Sequence, residues 1–230
     1  MPAEYWVSGA HKFTESENSV EVMKVIEGTI AREVRQYENL DLKIDIFANR
    51  TKCWFLNHAQ YLANLLTNPM DGDHTTPGDY AAVVLACSQL EGFQKYKEGY
   101  VGDRMSKKYF NKSIEAIFIK IKSVQLINNM DNIKDRKILD FLYKFLRCGA
   151  FHAGFPDGKV YLDRDCMFVL DIKTKADCKK ELDQIVLNPV KFVEEVIKYF
   201  NEYIFDLKNT SDEALRENFE KRWDHLWKNS

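Results

Sequence analysis

The sequence predicts an all-α fold, a helical bundle with one small two-stranded hairpin late in the chain. Three observations carry this. Only 10 Gly and 5 Pro punctuate 230 residues, so few sites interrupt a helix. Apolar residues recur at three- and four-residue spacing over most of the chain. Strand-like patterning is concentrated after residue 158, in "KVYLD" and "CMFVLDIK".

Taken in order, Val22, Val25, Ile26, Ile30, Val34 and Tyr37 keep helical spacing between Ser16 and about Arg50, with break points at Asn39 and Asp41. Residues 1–50 are therefore expected to be an N-terminal helical extension. A helix from about Thr51 to Leu66 opens the main domain, 51–230, and the whole is expected to form one continuous globular unit. "TNPMDGDHTTPGD" is a loop, and Thr76-Pro77 starts a helix that runs from about Gly78 to Lys97. "EGYVGDRMS" turns the chain into a helix from about Met105 to Ile121. "NNMDNIKD" leads to another, about Ile133 to Phe151. The two strand-like segments flank "RD" and predict the hairpin. Asn188 as N-cap and Pro189 at the first helical position open the helix that follows, and a capping pattern at Ser211 opens the last one.

Composition bounds the function. At 45% hydrophobic and 30% charged the chain reads as soluble and globular, and its formal charge of −2 argues against coating nucleic acid by bulk positive charge. A local basic site is still allowed. Cys53, Cys87, Cys148, Cys166 and Cys178 form no CxxC pair and are odd in number, which predicts free thiols in a reducing cytoplasm. The first residues lack the basic start and apolar run of a signal peptide, and no apolar run spans a bilayer, so no membrane partner is expected. A glycine-rich phosphate loop is missing, so ATP-dependent chemistry has no support and no cofactor is expected.

The segment that carries chemistry is "FLRCGAFHAGFPDGKVYLD", residues 145–163. Lys137, Asp140, Lys144 and Arg147 form one polar stripe on a helix that is otherwise apolar. Arg147 ends the stripe and His152 follows five residues later. At 100° per residue the two stand about 140° apart around an ideal helix, so they share no face of an unbroken one. Either the helix loosens between Gly149 and Gly154, or the two side chains meet partners from another chain. Spacing alone also accommodates a solvated Arg near a helix C-terminus, where the dipole favours a cation, followed by a capping His.

"FLRCGAFHAG", a short hairpin and an "LNP" helix together resemble the HEPN superfamily (higher eukaryote and prokaryote nucleotide-binding domains), most strongly over about 78–207. The resemblance implies a HEPN-like helical bundle with an R-x4-6-H motif at a helix end, matched here by Arg147 and His152. Many members are metal-independent endoribonucleases of toxin–antitoxin, anti-phage or RNA-processing systems. Others are inactive binding or scaffold modules. For this chain it implies RNA as substrate, no metal, a homodimer in which two motifs face each other across one composite site, and an antitoxin or regulatory protein as a further partner. Cys148 stands where the family often has a polar residue, commonly Asn. The residue types suit the chemistry. An imidazole can take the 2′-OH proton near neutral pH, and a guanidinium can neutralise charge gathering on the phosphorane-like transition state.

Glu91 lies on one helical face with Tyr80, Val84 and Cys87, and a carboxylate on an apolar face needs a partner. It either positions Arg147 or His152, or pairs structurally near the helix end. Cys148 is a supporting candidate, and with His152 four residues on it also allows a thiol–imidazole pair or half a zinc site, though no second ligand pair has metal spacing. His58 shares a face with Trp54, Tyr61 and Leu65 and reads as a core histidine. Lys144 and the run Lys173, Lys175, Lys179 and Lys180 are candidate RNA contacts. That run and the run Arg104, Lys107, Lys108 and Lys112 each read first as a solvated face, and the former is the better candidate if RNA binds because the hairpin starts beside the motif.

Overall fold

A computed structural model describes residues 3–8, 11–16, 19–26, 29–33, 40–65, 75–123, 127–128, 135–149, 158–178, 181–209 and 212–228. The chain divides into two compact units, one of Met1–Asn57, Tyr96–Val101 and Asn201–Ser230, the other of His58–Lys95 and Gly102–Phe200.

The first unit begins with four strands, β1 (Ala3–Ser8), β2 (His11–Ser16), β3 (Ser19–Ile26) and β4 (Thr29–Glu33). They form an antiparallel meander in sequence order. This corrects the helical reading over Ser19–Ile26 and Thr29–Glu33, while Val34 and Tyr37 lie outside the described residues. The valines and isoleucines there are β-branched and favour a pleated backbone. Strand pairing decides, with Val22 opposite Phe13 and Val25 opposite Ile30. Over Leu40–Arg50 the helical reading holds, in α1 (Leu40–Thr51), which continues into a π-helical stretch, Lys52–Leu56. The core of this unit is aromatic. Phe47 lies 4.4 Å from Tyr96 and 5.4 Å from Phe219, and Phe219 stacks on Tyr96 and Trp223. Gly99 takes φ +59, and a Cβ there would meet Asn218 Oδ1 at 2.6 Å, so only glycine fits this turn. Lys43 is buried and donates to Glu220 at 2.6 Å and Asp224 at 2.9 Å. Burial opposes its charge, but those two hydrogen bonds and carboxylates prevail and hold its pKa above the ordinary lysine value.

The second unit contains α2 (Asn57–Asn64) from His58 on, α3 (Pro77–Lys97) as far as Lys95, α4 (Ser106–Ser123) and α5 (Asp135–Phe141), which runs on as a π helix over Leu142–Cys148. Short strands follow: β6 (Val160–Leu162), β7 (Leu170–Thr174) and β8 (Leu182–Leu187), with β5 (Ile127–Asn128) preceding α5. The chain then enters α6 (Pro189–Asn209), and α7 (Glu213–Lys228) closes the fold. Both predicted Pro starts are present. Thr76 N–H donates to Asp79 Oδ2 at 2.7 Å ahead of Pro77, and Asn188 Oδ1 accepts from Lys191 N–H at 3.1 Å around Pro189. For α7 the capping oxygen is Asp212 Oδ1, which accepts from Leu215 N–H; Ser211 lies outside the described residues.

The hairpin is corrected. The sheet is four-stranded and mixed, ordered β5-β7-β8-β6. β6 and β7 do not pair with each other; β8 lies between them, parallel to β6 and antiparallel to β7. The fold is therefore mostly helical rather than all-α. The "RD" turn is used otherwise. Arg164 reaches back to Asp79, contacting both carboxylate oxygens at 2.7–3.0 Å, and to Thr76 Oγ1 at 3.0 Å. Asn188 Nδ2 ties down the Arg164 and Cys166 carbonyls. Those bonds open residues 163–169 into a loop wide enough to admit a strand between its neighbours.

His58, Trp54 and Tyr61 are exposed, not core, while Leu56, Ala59 and Ala63 are buried. At Gly78 a Cβ would stand 2.8 Å from the Leu62 carbonyl oxygen, so the glycine lets α3 start close to α2. Among the described residues no helix is long and apolar enough to cross a membrane.

Candidate functional site

α3, α4 and α5 converge on one polar cluster. Ala82, Ala86, Leu90 and Phe93 bury one side of α3, and Ser113 Oγ of α4 donates to the Leu90 carbonyl at 2.7 Å in the interior. That contact sets α4 against α3 so that its first residue, Ser106, lies beside Glu91. Phe110 and Tyr143, with ring centroids 5.8 Å apart, set α5 against α4.

Glu91 is the hub. Its Oε2 accepts from Arg147 Nη2 at 3.1 Å and from Ser106 Oγ, and its Oε1 pairs with Lys95 Nζ at 2.7 Å. The side chains of Glu91, Lys95 and Arg147 are 17%, 8% and 23% exposed. One carboxylate faces two cations, Lys95 and Arg147. Burial pushes the Glu91 carboxyl up, but hydrogen bonds from Lys95 and Ser106 and the charges of Lys95 and Arg147 outweigh it and hold its pKa low. One turn earlier on α3, burial pushes the Cys87 thiol far up despite the nearby Arg147 charge, so Cys87 stays neutral. The Arg147 guanidinium also lies 6.0 Å from the centre of the Tyr143 ring.

Arg147 belongs to the π-helical stretch, where each N–H reaches back five residues rather than four. Such wide turns are rare, and they concentrate at functional sites. The helix thus loosens from Leu142 onward, earlier than the Gly149–Gly154 window expected from the glycines. His152 lies outside the described residues, as do Lys179 and Lys180.

Of the other sequence candidates, Cys148 is half-buried with a free thiol. Lys144 is exposed and lies over the Phe145 ring at 4.7 Å. Lys173 pairs with Asp171 and Lys175 with Glu181, the latter at 2.6 Å. Among the described residues neither lysine contacts the Glu91 cluster. The structure therefore brings Glu91 and Arg147 together and leaves Lys173 on Asp171 and Lys175 on Glu181. Lys95 and Ser106 escaped the sequence reading. Lys95 had a legible signal, since it stands four residues after Glu91 on a helix; Ser106 had none. Among the described residues no group of three His, Cys, Asp or Glu side chains is placed to hold a metal ion.

No family model, no curated protein and no solved structure matches the chain. Function is therefore argued from this cluster and from the motif that contains Arg147.

Proposed function

We propose that the chain is a metal-independent endoribonuclease of the HEPN type, acting as a homodimer with a composite site. The observation that carries the reading is the half-buried Arg147, seated on a Glu91 carboxylate that it shares with Lys95. A guanidinium so held is oriented in advance, and it acts in a partly desolvated setting where its attraction for a phosphate is stronger than in water. Arg147 binds the scissile phosphate and stabilises the charge that builds on it. His152 takes the 2′-OH proton as that oxygen attacks phosphorus, the 5′-oxygen leaves with a proton, and the products are a 2′,3′-cyclic phosphate and a 5′-OH end. Glu91 is a positioning residue that holds the guanidinium in place.

A second reading is a non-cutting HEPN-like module that binds nucleic acid, a nucleotide or a regulatory protein. The bond from Arg147 to Glu91 favours it, because the guanidinium already has a carboxylate in the unliganded state.

Incubation of the purified protein with single-stranded RNA in EDTA tests both. The nuclease reading expects cleavage with cyclic-phosphate ends, and light scattering expects a dimer at micromolar concentration. RNA that is bound and never cut establishes the second reading. Cleavage abolished by EDTA defeats the mechanism.

A further inference from the structure

A groove of about 630 Å³ runs between α4 and α5, with Met105, Lys107, Lys108, Asn111, Arg136 and Asp140 among its lining residues. Its size falls within the roughly 300–1,000 Å³ of small-ligand sites. We infer that this groove seats the nucleotide adjacent to the cleaved linkage, its phosphate held by Lys108 and Arg136 and its base packed on Met105. The inference rests on the endoribonuclease reading and names where that substrate continues beyond Arg147.

Charge is the first ground. Lys107 is bound to Asp140 at 3.0 Å, and this bond holds the Asp140 carboxyl below its usual range. Lys108 and Arg136 are exposed; Lys108 lies over the Tyr109 ring at 5.3 Å, and the Arg136 charge adds to the pull on Asp140. Glu115 is the other acid in the lining, so the groove keeps a positive excess. Lys107 and Lys108 also sit in the first turn of α4, which contains no acidic residue. The helix dipole disfavours cations there, so helix stability does not account for them.

Shape and hydrogen bonding are the second. Met105 is held at φ 70, a left-handed backbone that an unbranched L-residue enters at a cost, and its side chain is 55% exposed beside the groove. Asn111 Nδ2 donates to Asp140 Oδ1 at 3.2 Å, while its buried Oδ1 has no partner among the described residues. The buried Oδ1 is closed to a ligand, so the base is met by the exposed, polarisable Met105 thioether, which suits its face.

Continuity with the cluster is the third. Consecutive residues of α4 serve both places, Ser106 donating to Glu91 and Lys107 to Asp140. Asp140 and Arg147 stand seven residues apart on α5 and its π-helical continuation, on the order of 10 Å along a helix. A single strand lying on Arg147 and running back along α5 enters the groove with its neighbouring nucleotide.

The test uses the full-length chain and a twelve-nucleotide single-stranded RNA, with a 2′-O-methyl copy that cannot be cut. Lys108→Glu/Arg136→Glu changes only exposed side chains, and circular dichroism checks that it folds. The variant should weaken anisotropy-measured binding of the 2′-O-methyl RNA by about tenfold or more. It should also flatten the dependence of log affinity on log salt by about 0.7, the value for one single-strand phosphate. Cleavage of the unmodified RNA should lose kcat/KM through a raised KM, because the contact exists before and during the transition state. Wild type that cuts RNA, with the double variant binding and cutting equally well, overturns the groove and leaves the nuclease reading standing. Wild type that binds without cutting, with the variant weakened as stated, overturns the nuclease reading and keeps the groove as an RNA seat. A variant that turns from dimer to monomer shows that a second copy covers the groove, and that overturns the inference.

Discussion

Replacing Glu91 with Gln should destabilise the protein and yet tighten its hold on anions. The amide is nearly the same size, but it has one acceptor oxygen where the carboxylate has two, and its NH2 group must face either Lys95 or Arg147. Three donors converge on Glu91. The substitution leaves two partly buried cations facing a neutral group. Removing one partner of a fully buried pair costs about 3–5 kcal/mol. With Glu91 17% and Arg147 23% exposed, solvent screens part of the loss, and about 2–4 kcal/mol is expected at pH 7. That corresponds to a fall in Tm on the order of 5–15 °C for a chain of this size. The pH dependence follows from the sign of the shift. The folded pKa of Glu91 is depressed, so its contribution is fully present above the unfolded value of about 4.3. It is lost as pH falls through the folded value. Urea denaturation of both proteins should therefore show a gap at neutral pH that narrows below about pH 4. Meanwhile the net charge of the cluster rises by one, so binding of uncleavable RNA should strengthen at low salt. Equal stability at pH 7, or a gap that persists unchanged in acid, would refute the hub role of Glu91.

Other outcomes are expected from the same geometry. Asp79→Asn should cost about 3–5 kcal/mol, because the fully buried carboxylate holds Arg164 through both oxygens and caps α3; a thermal melt with wild-type Tm would contradict this. Gly99→Ala should cost about 1–2 kcal/mol, since φ +59 is strained for an L-residue and the added Cβ meets Asn218. Chemical denaturation reads that loss, and none is expected at Gly92, where a Cβ meets nothing within 4 Å. His152→Ala should lower RNA cleavage by about 10²-fold or more while binding survives. Arg147→Ala should lower both, with no rescue by added Mg²⁺. Undiminished cleavage by His152→Ala rules out its role as the base.

Short-range chemistry was readable in the amino-acid sequence. Thr76-Pro77 and Asn188-Pro189 announce helix starts because a cap and a proline act within three or four residues. Glu91 on an apolar face announces that a partner exists, because a buried carboxylate without one is costly. It does not say which partner, and Arg147 is 56 positions away.

What only the tertiary structure decided depends on groups far apart in sequence. Val22, Val25, Ile26 and Ile30 satisfy a helical period, and pairing with β2 and β4 selects the strand instead. β6 and β7 look like a hairpin because each is a short β-like run near a polar turn. β8 separates them, and Arg164 leaves that turn for Asp79, 85 residues earlier. The π-helical stretch at Leu142–Cys148 has no local signal either, yet it alters the rotation assumed when Arg147 is placed on a helical wheel. Caps and periodicity are settled by the nearest neighbours of each residue, whereas sheet order, helix register and the partner of a buried charge are settled by whichever distant group the folded chain brings within reach.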